Sequence, residues 1–447
     1  MIDSGTLSRT YEAHIAAVAE GYARALAACE LDAVVVHSGS LSKRTSFDDQ
    51  DWPLRPTPHF MHWLALPEPD AVLIIAAGAK PVLVRLEQAN FWEAPARAES
   101  EHFWPFFDVI VAPSHEAMRG LIPAGRVAFV GENTAFADRL GLSRDACNMH
   151  ALLRRLDALR TTKSAYEIVC LAEANRIAAQ GHEVVRGAFE VGDASELDLH
   201  LLYLRATRQD DPETPYKNIV AMGAHASTLH HVGYQKTPSG AASLLLDAGA
   251  TCLGYASDIT RTWVKPAGEA ARVFAALLAR MEAVQTGLVA AVQSGEPYEA
   301  LHDRSHRELA AILRDSGIVR LSADAIDAMG ISRAFYPHGL GHSIGLQCHD
   351  VGCAVTQPAA RNPFLRNTTD IAAGQVFTIE PGLYFIERLL TPLRQGPSAA
   401  DIDWALVDAL SPLGGIRIED DLAVLASGVR NLTREHLPLG GGVVGSA

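Results

Sequence analysis

Four acidic residues and a cluster of three histidines in this 447-residue chain have the types and spacing that metal chemistry needs. Asp247 ends the apolar run Leu244-Leu245-Leu246, and Asp258 follows in "GYASDITRTW". Glu380 closes "QVFTIE" ahead of Pro381-Gly382. Glu419 lies in "GGIRIEDDLAV", with Arg417 two residues earlier and so on the same strand face. The stretch "FYPHGLGHSIGLQCHDVG" (335–352) supplies His338, His342 and His349. Alone, each acid reads as a turn cap or a solvated strand end, and each histidine as an ordinary core or surface residue. Together they read differently. Carboxylates buried at several strand ends need a cation, and two divalent ions would cancel four negative charges. Mostly oxygen ligands with one imidazole suit a hard or borderline metal such as manganese. Two such ions would hold a hydroxide between them, an arrangement that hydrolyses near neutral pH.

The elements must bring these groups together. His338 and His342 have the i, i+4 spacing of a helical zinc motif. Pro337, Gly339, Gly341 and Gly345 argue against a helix, so the stretch is predicted as a loop or irregular strand whose backbone passes close to something. A hairpin centred between Cys252 and Leu253 would put Asp247 directly opposite Asp258. Like charges in that position are destabilising unless something neutralises them.

The first 155 residues alternate helix and strand signals. Tyr11, Ile15, Val18, Tyr22 and Leu26 recur every three or four residues, predicting a helix over 8–29. Short strands are predicted at 31–40, 71–77, 81–86 and 125–131, and an ordered loop at 46–66. Residues 153–185 read as strongly helical and as the link between two domains. Further helices are predicted at 196–206, 270–293 and 297–315, among strands around "SLLLDAGA", "TRTWVK", "QVFTIE" and "GGIRIEDDLAVL". The expectation is an α/β N-terminal domain (1–155) followed by an α+β C-terminal domain (156–447), whose mostly antiparallel sheet is covered by helices.

Composition excludes other classes. A net charge of −14 gives no basic footprint for nucleic acid or an anionic membrane. The six cysteines include no CxxC pair and read as reduced thiols of a cytoplasmic protein. No signal peptide is visible, and the apolar stretch 71–86 is broken by Gly78, Lys80 and Pro81.

Over about 216–425 the motifs "PYKNIVAMGAHASTLHH", "LLLDAGA…YASDITRTW", "FYPHGLGHSIGLQCHDVG", "FTIEPGLYF" and "GGIRIEDD" resemble the pita-bread metallopeptidases. Within that family the resemblance is to the bacterial Xaa-Pro dipeptidases (prolidases), relatives of organophosphorus acid anhydrolase. The N-terminal part resembles them more loosely, through "HSGSLSKRTSFDDQDWPLRPTPHFMHWL". The resemblance implies two divalent metal ions, Mn(2+), with Asp247 on one ion, His342 and Glu380 on the other, and Asp258 and Glu419 bridging. It implies that His230, His338 and His349 contact substrate and steady the developing oxyanion, and that Glu380 also shuttles a proton to the leaving nitrogen. Arg417 would orient Glu419, and Arg366 in "NPFLRNTTD" would bind the free carboxylate of an Xaa-Pro dipeptide. Tyr216 and the pair Asp48-Asp49 would shape a small pocket, the acid reaching in from the second subunit of a homodimer. His231 departs from the pattern, standing where relatives commonly carry tyrosine.

Three rivals stay open at this level. One is an aminopeptidase acting on longer Xaa-Pro peptides, which Arg366 tells against. The second is a catalytically inactive pita-bread binding module, which the intact ligand set tells against. The third is a phosphotriesterase, expected here as a side activity because the same hydroxide can attack phosphorus.

Overall fold

A computed structural model describes residues 2–87, 100–266 and 268–445, and its contacts divide the chain into two units, Met1–Cys170 and Leu171–Ala447. The first unit opens with a helix over Ser4–Ala28, started by Asp3, whose carboxylate accepts from the Thr6 amide. Its buried face includes Tyr11, Ile15, Val18, Tyr22 and Leu26, the set whose spacing predicts it. The sheet runs in the order Asp108–Ala112, Val82–Leu86, Val72–Ala76, Ala33–His37 and Val127–Val130. The two outer pairings are parallel and the two inner ones antiparallel. Strand Asp108–Ala112 is absent from the sequence reading because its first four residues are exposed, leaving no burial alternation to detect. Within 46–66 lie one arm of a small hairpin, Ser42–Lys43 with Asp51–Trp52, and a short helix Pro58–Met61. Asp48 and Asp49 are exposed at the hairpin turn.

The helical stretch predicted over 153–185 is two helices, His150–Thr161 and Ala165–Val191. Ser164 interrupts it. Its hydroxyl accepts from the Glu167 amide at 3.4 Å, while the Glu167 carboxylate accepts from the Ser164 amide at 2.8 Å. This reciprocal S-x-x-E cap satisfies two amides that a continuous helix would pair differently.

In the second unit, helices Glu196–Thr207, Glu269–Ala290 and Tyr298–Asp315 lie close to their predicted bounds. Glu269–Ala290 is long and apolar enough to span a membrane by length and composition alone. Here its Phe274, Leu277, Leu278 and Met281 belong to a core cluster of the unit. One sheet runs Gly441–Val443, Thr260–Val264, Ser243–Asp247, Ile219–Met222, antiparallel except for its first pairing. A second runs Val376–Ile379, Asp420–Leu425, Gly428–Asn431, all antiparallel. Gly382–Tyr384 pairs with Gly415–Arg417, so the predicted strand "GGIRIEDDLAV" is two strands with Glu419 at the break.

The expected facing of Asp247 and Asp258 is corrected. Asp247 pairs with Thr260, because the turn centres on Leu253 and Gly254, both at positive φ (51° and 85°). Two central residues of that hand make the tight turn that matches strand twist, and Gly254 adopts it without strain. The shift is two residues, so the side-chain faces are kept. Asp258 still looks toward Asp247, from just before the strand.

Candidate active site

Five predicted residues converge in the second unit. The 335–352 stretch is a loop after residue 335, lying against strand Val376–Ile379. The Thr378 amide donates to the His342 carbonyl at 2.9 Å, and the His342 amide donates to the Thr378 hydroxyl at 3.1 Å. Gly341 has no room for a Cβ against the Thr378 carbonyl and the Tyr298 hydroxyl. This close approach explains the glycines between the histidines.

Asp258, His342 and Glu419 offer ligand atoms that all lie within 4.8 Å of one another, and all three side chains are buried. His342 Nε2 is 3.4 Å from Asp258, 3.8 Å from Glu380 and 3.8 Å from Glu419. Asp247 joins through Tyr216, whose hydroxyl lies 2.7 Å from Asp247 and 2.5 Å from Asp258. A phenol carries one proton and can donate to only one of them. Burial and Asp258 push the Asp247 carboxyl up to about 6 against the pull of Arg417. Burial pushes Glu380 up to about 7. Burial and the neighbouring Asp258, Glu380 and Asp247 push Glu419 well above the usual range. Asp258 is held low despite burial, chiefly by His342, which it helps to raise to about 9. These acids cannot all ionise without added positive charge. Four carboxylates and one imidazole fit hard to borderline divalent ions.

Neighbouring groups fix the acids. Arg417 donates to Asp247 at 2.5 Å, to the Tyr384 hydroxyl at 3.0 Å and to the Thr260 hydroxyl at 3.1 Å. Thr260 links it to Glu419, to which its hydroxyl donates at 2.6 Å. Asp421 accepts from the Asp258 amide at 3.0 Å and from Asn175 at 2.8 Å. Asp420 turns away to Arg261 at 2.8 Å. Cys348 donates its thiol proton to Asp258 at 2.9 Å. Thr260, Tyr384, Cys348 and Asp421 are not singled out by the sequence reading. A period of two could have found the first two, since Thr260 follows Asp258 by two residues and Tyr384 lies four beyond Glu380.

The remaining predicted residues sit at the margin. His338 lies 3.5 Å from Glu380 and hydrogen-bonds the Tyr384 hydroxyl at 2.8 Å. Burial pushes it down to about 3, so it is neutral. The His349 ring packs edge-on against His342 with centroids 4.4 Å apart, and burial, His342 and Arg366 lower it to about 4. Arg366 is exposed, and no hydrogen bond or ion pair holds its guanidinium among the described residues. Its backbone packs against Gly339, where an added Cβ would come within 3.5 Å of the Arg366 nitrogen. His230 is exposed in the segment after the turn Gly223–Ser227.

The chain matches two family profiles, "Metallopeptidase family M24" over residues 169–426 and "Xaa-Pro dipeptidase, N-terminal domain" over 9–157. An Xaa-Pro dipeptidase of Aeromonas hydrophila is 40% identical, with 91% of this chain and 93% of that one covered. One of Marinobacter nauticus is 41% identical, covering 95% and 97%. Among solved structures, zinc-substituted Escherichia coli aminopeptidase P superposes with a TM-score of 0.70 at 22% identity, covering 96% and 95%. Proline aminopeptidase P II from Yersinia pestis gives 0.71 at 23%, covering 96% of each chain. At such identities the likeness shows the fold alone, which is the pita-bread fold.

Proposed function

The chain belongs to metallopeptidase family M24, and from that premise we propose that it hydrolyses Xaa-Pro dipeptides with two divalent ions held by Asp247, Asp258, His342, Glu380 and Glu419. The observation that carries this reading is the buried group of four acids around His342, whose charges cannot coexist without cations. When bound, the ions supply Lewis acidity and lower the pKa of an attacking water. Manganese is the metal this donor set favours.

The chain's own groups do the rest. Glu380 takes a proton at its carboxylate and returns it to the departing proline nitrogen. His349, which is neutral, donates a hydrogen bond to the carbonyl oxygen as negative charge develops there, while neutral His338 keeps its one N–H on the Gly339 carbonyl at 2.8 Å and lines the same side with His230. Tyr384 holds His338 in place and is itself held by Arg417. Tyr216 ties Asp247 to Asp258 and lines the substrate side.

Arg366 sets chain length. A dipeptide ends in a carboxylate just beyond the proline ring, and a guanidinium binds that group with two parallel hydrogen bonds. A tripeptide puts a neutral amide there and must pass the arginine. The chain should therefore cleave Xaa-Pro far better than Xaa-Pro-Xaa. Arg366→Met should raise KM for the dipeptide about ten- to hundredfold, the worth of one charge-assisted bond of ~1.5–3 kcal/mol, and narrow the gap to the tripeptide. Steady-state kinetics on Leu-Pro and Leu-Pro-Gly test this. Efficient tripeptide cleavage by the wild type would move the reading to an aminopeptidase.

A homodimer, residence in the cytoplasm and slow turnover of phosphotriesters complete the proposal. Sedimentation as a monomer, recovery outside the cytoplasmic fraction, or no phosphotriester turnover would remove each in turn.

A further inference from the structure

A second constellation in the same unit has no part in the proposed reaction. Glu196 is the first residue of helix Glu196–Thr207, which Ser195 caps. Its carboxylate is fully buried, and backbone amides fix both of its oxygens. Met222 donates to one at 2.9 Å and Gln235 to the other at 2.8 Å. Each oxygen also meets an imidazole. His225 Nδ1 lies 2.7 Å from one and His231 Nε2 lies 2.9 Å from the other. The two rings stack at 4.4 Å with 24° between their planes. All three ligand atoms lie within 4.8 Å of one another.

We propose that Glu196, His225 and His231 form a further metal site, separate from the five-ligand group, for a single borderline divalent cation such as Zn(2+) or Co(2+).

Two imidazole nitrogens and one carboxylate oxygen make a three-ligand set that leaves one coordination position open. His225 is 43% exposed while Glu196 is 0% exposed, so the open position faces solvent and the anchoring acid does not. The amides of Met222 and Gln235 hold Glu196 below the usual carboxylate range against the cost of burial, so it is ionised and already oriented. Imidazole donors select zinc, cobalt or nickel over manganese, magnesium or calcium. The four-acid group has the opposite preference, so the two sites sort metals by donor type. His231 directly follows His230, so a cation here would also anchor the backbone beside that histidine. Without a cation, the same three side chains are two hydrogen bonds on a carboxylate. The two states differ in what they do with zinc.

The test counts metal in the full-length protein. Wild type, His225→Ala and His231→Ala are first saturated with Mn(2+), then given excess Zn(2+), desalted and analysed for total metal. Wild type should hold one more ion per chain than either variant, whatever number the four-acid group retains. Loss of the dipeptidase reading would therefore leave this difference in place. Zn(2+) should bind the variants at least about tenfold more weakly. Zinc X-ray absorption on the wild type alone should show two imidazoles and a carboxylate on the added ion, a readout that needs no variant to fold. Equal metal content in all three proteins, or an added zinc without imidazole ligands, would overturn the assignment.

Discussion

Replacing Thr260 by valine isolates one hydrogen bond whose strength depends on the charge of Glu419. Thr260 is 0% exposed; it donates to Glu419 at 2.6 Å and accepts from Arg417 Nε at 3.1 Å. Valine keeps the shape and removes both bonds. In the metal-free protein, burial and three neighbouring acids push Glu419 well above its ordinary range and so favour its neutral form. Its bond to Thr260 is then an ordinary one of about 1 kcal/mol. With cations bound, Glu419 is ionised and the same bond is charge-assisted, worth ~1.5–3 kcal/mol. The difference of about 0.5–2 kcal/mol falls on cation affinity, so Thr260→Val should bind Mn(2+) about 2- to 30-fold more weakly. The metal-free variant should also lose about 1–2 kcal/mol of stability, because the Arg417 Nε–H is left buried without an acceptor. A competition titration against a fluorescent chelator measures the first effect, and urea unfolding of the chelated protein measures the second. An affinity equal to that of wild type would refute the idea that Glu419 is ionised by bound cations.

His349→Ala should keep its metal content and lose about 10²–10³ in kcat, because it removes an oxyanion donor and no ligand; elemental analysis beside kinetics checks both, and loss of metal would contradict the division of the histidines. His182 is buried and bonded to the Ala248 carbonyl at 2.9 Å, and burial lowers its pKa from 6.5 to about 3. The unfolded chain therefore binds a proton that the folded one refuses, and stability falls as pH drops from 6.5 toward 3. His182→Gln should flatten that slope by up to about 1.4 kcal/mol per pH unit, measured by denaturant unfolding across pH; an unchanged slope would show that His182 already titrates when folded.

Features with a local cause were legible in the sequence. The Tyr11–Leu26 face follows from helical period, and the glycines of 335–352 mark a backbone that must lie against strand Val376–Ile379. The four acids were visible because charge at the end of an apolar strand is costly. Features set by pairing were not. The register of Asp247 against Thr260 depends on two left-handed turn residues, one of them Leu253, which carries no turn signal. The break at Ser164 was encoded as S-x-x-E, but strong periodicity on both sides hid it. In "IEDD" three adjacent acids look alike. Only the fold sends Glu419 to the His342 group, Asp420 to Arg261 and Asp421 to the Asp258 amide.

The central claim is that hydrolysis of an Xaa-Pro dipeptide depends on cations held by the four buried acids and His342. Its most direct test is Leu-Pro turnover by protein stripped with a chelator, with residual metal counted by elemental analysis, before and after Mn(2+) is returned. The stripped protein should be inactive, and activity should return as the metal is bound. Full turnover in protein that elemental analysis finds free of metal would contradict the claim.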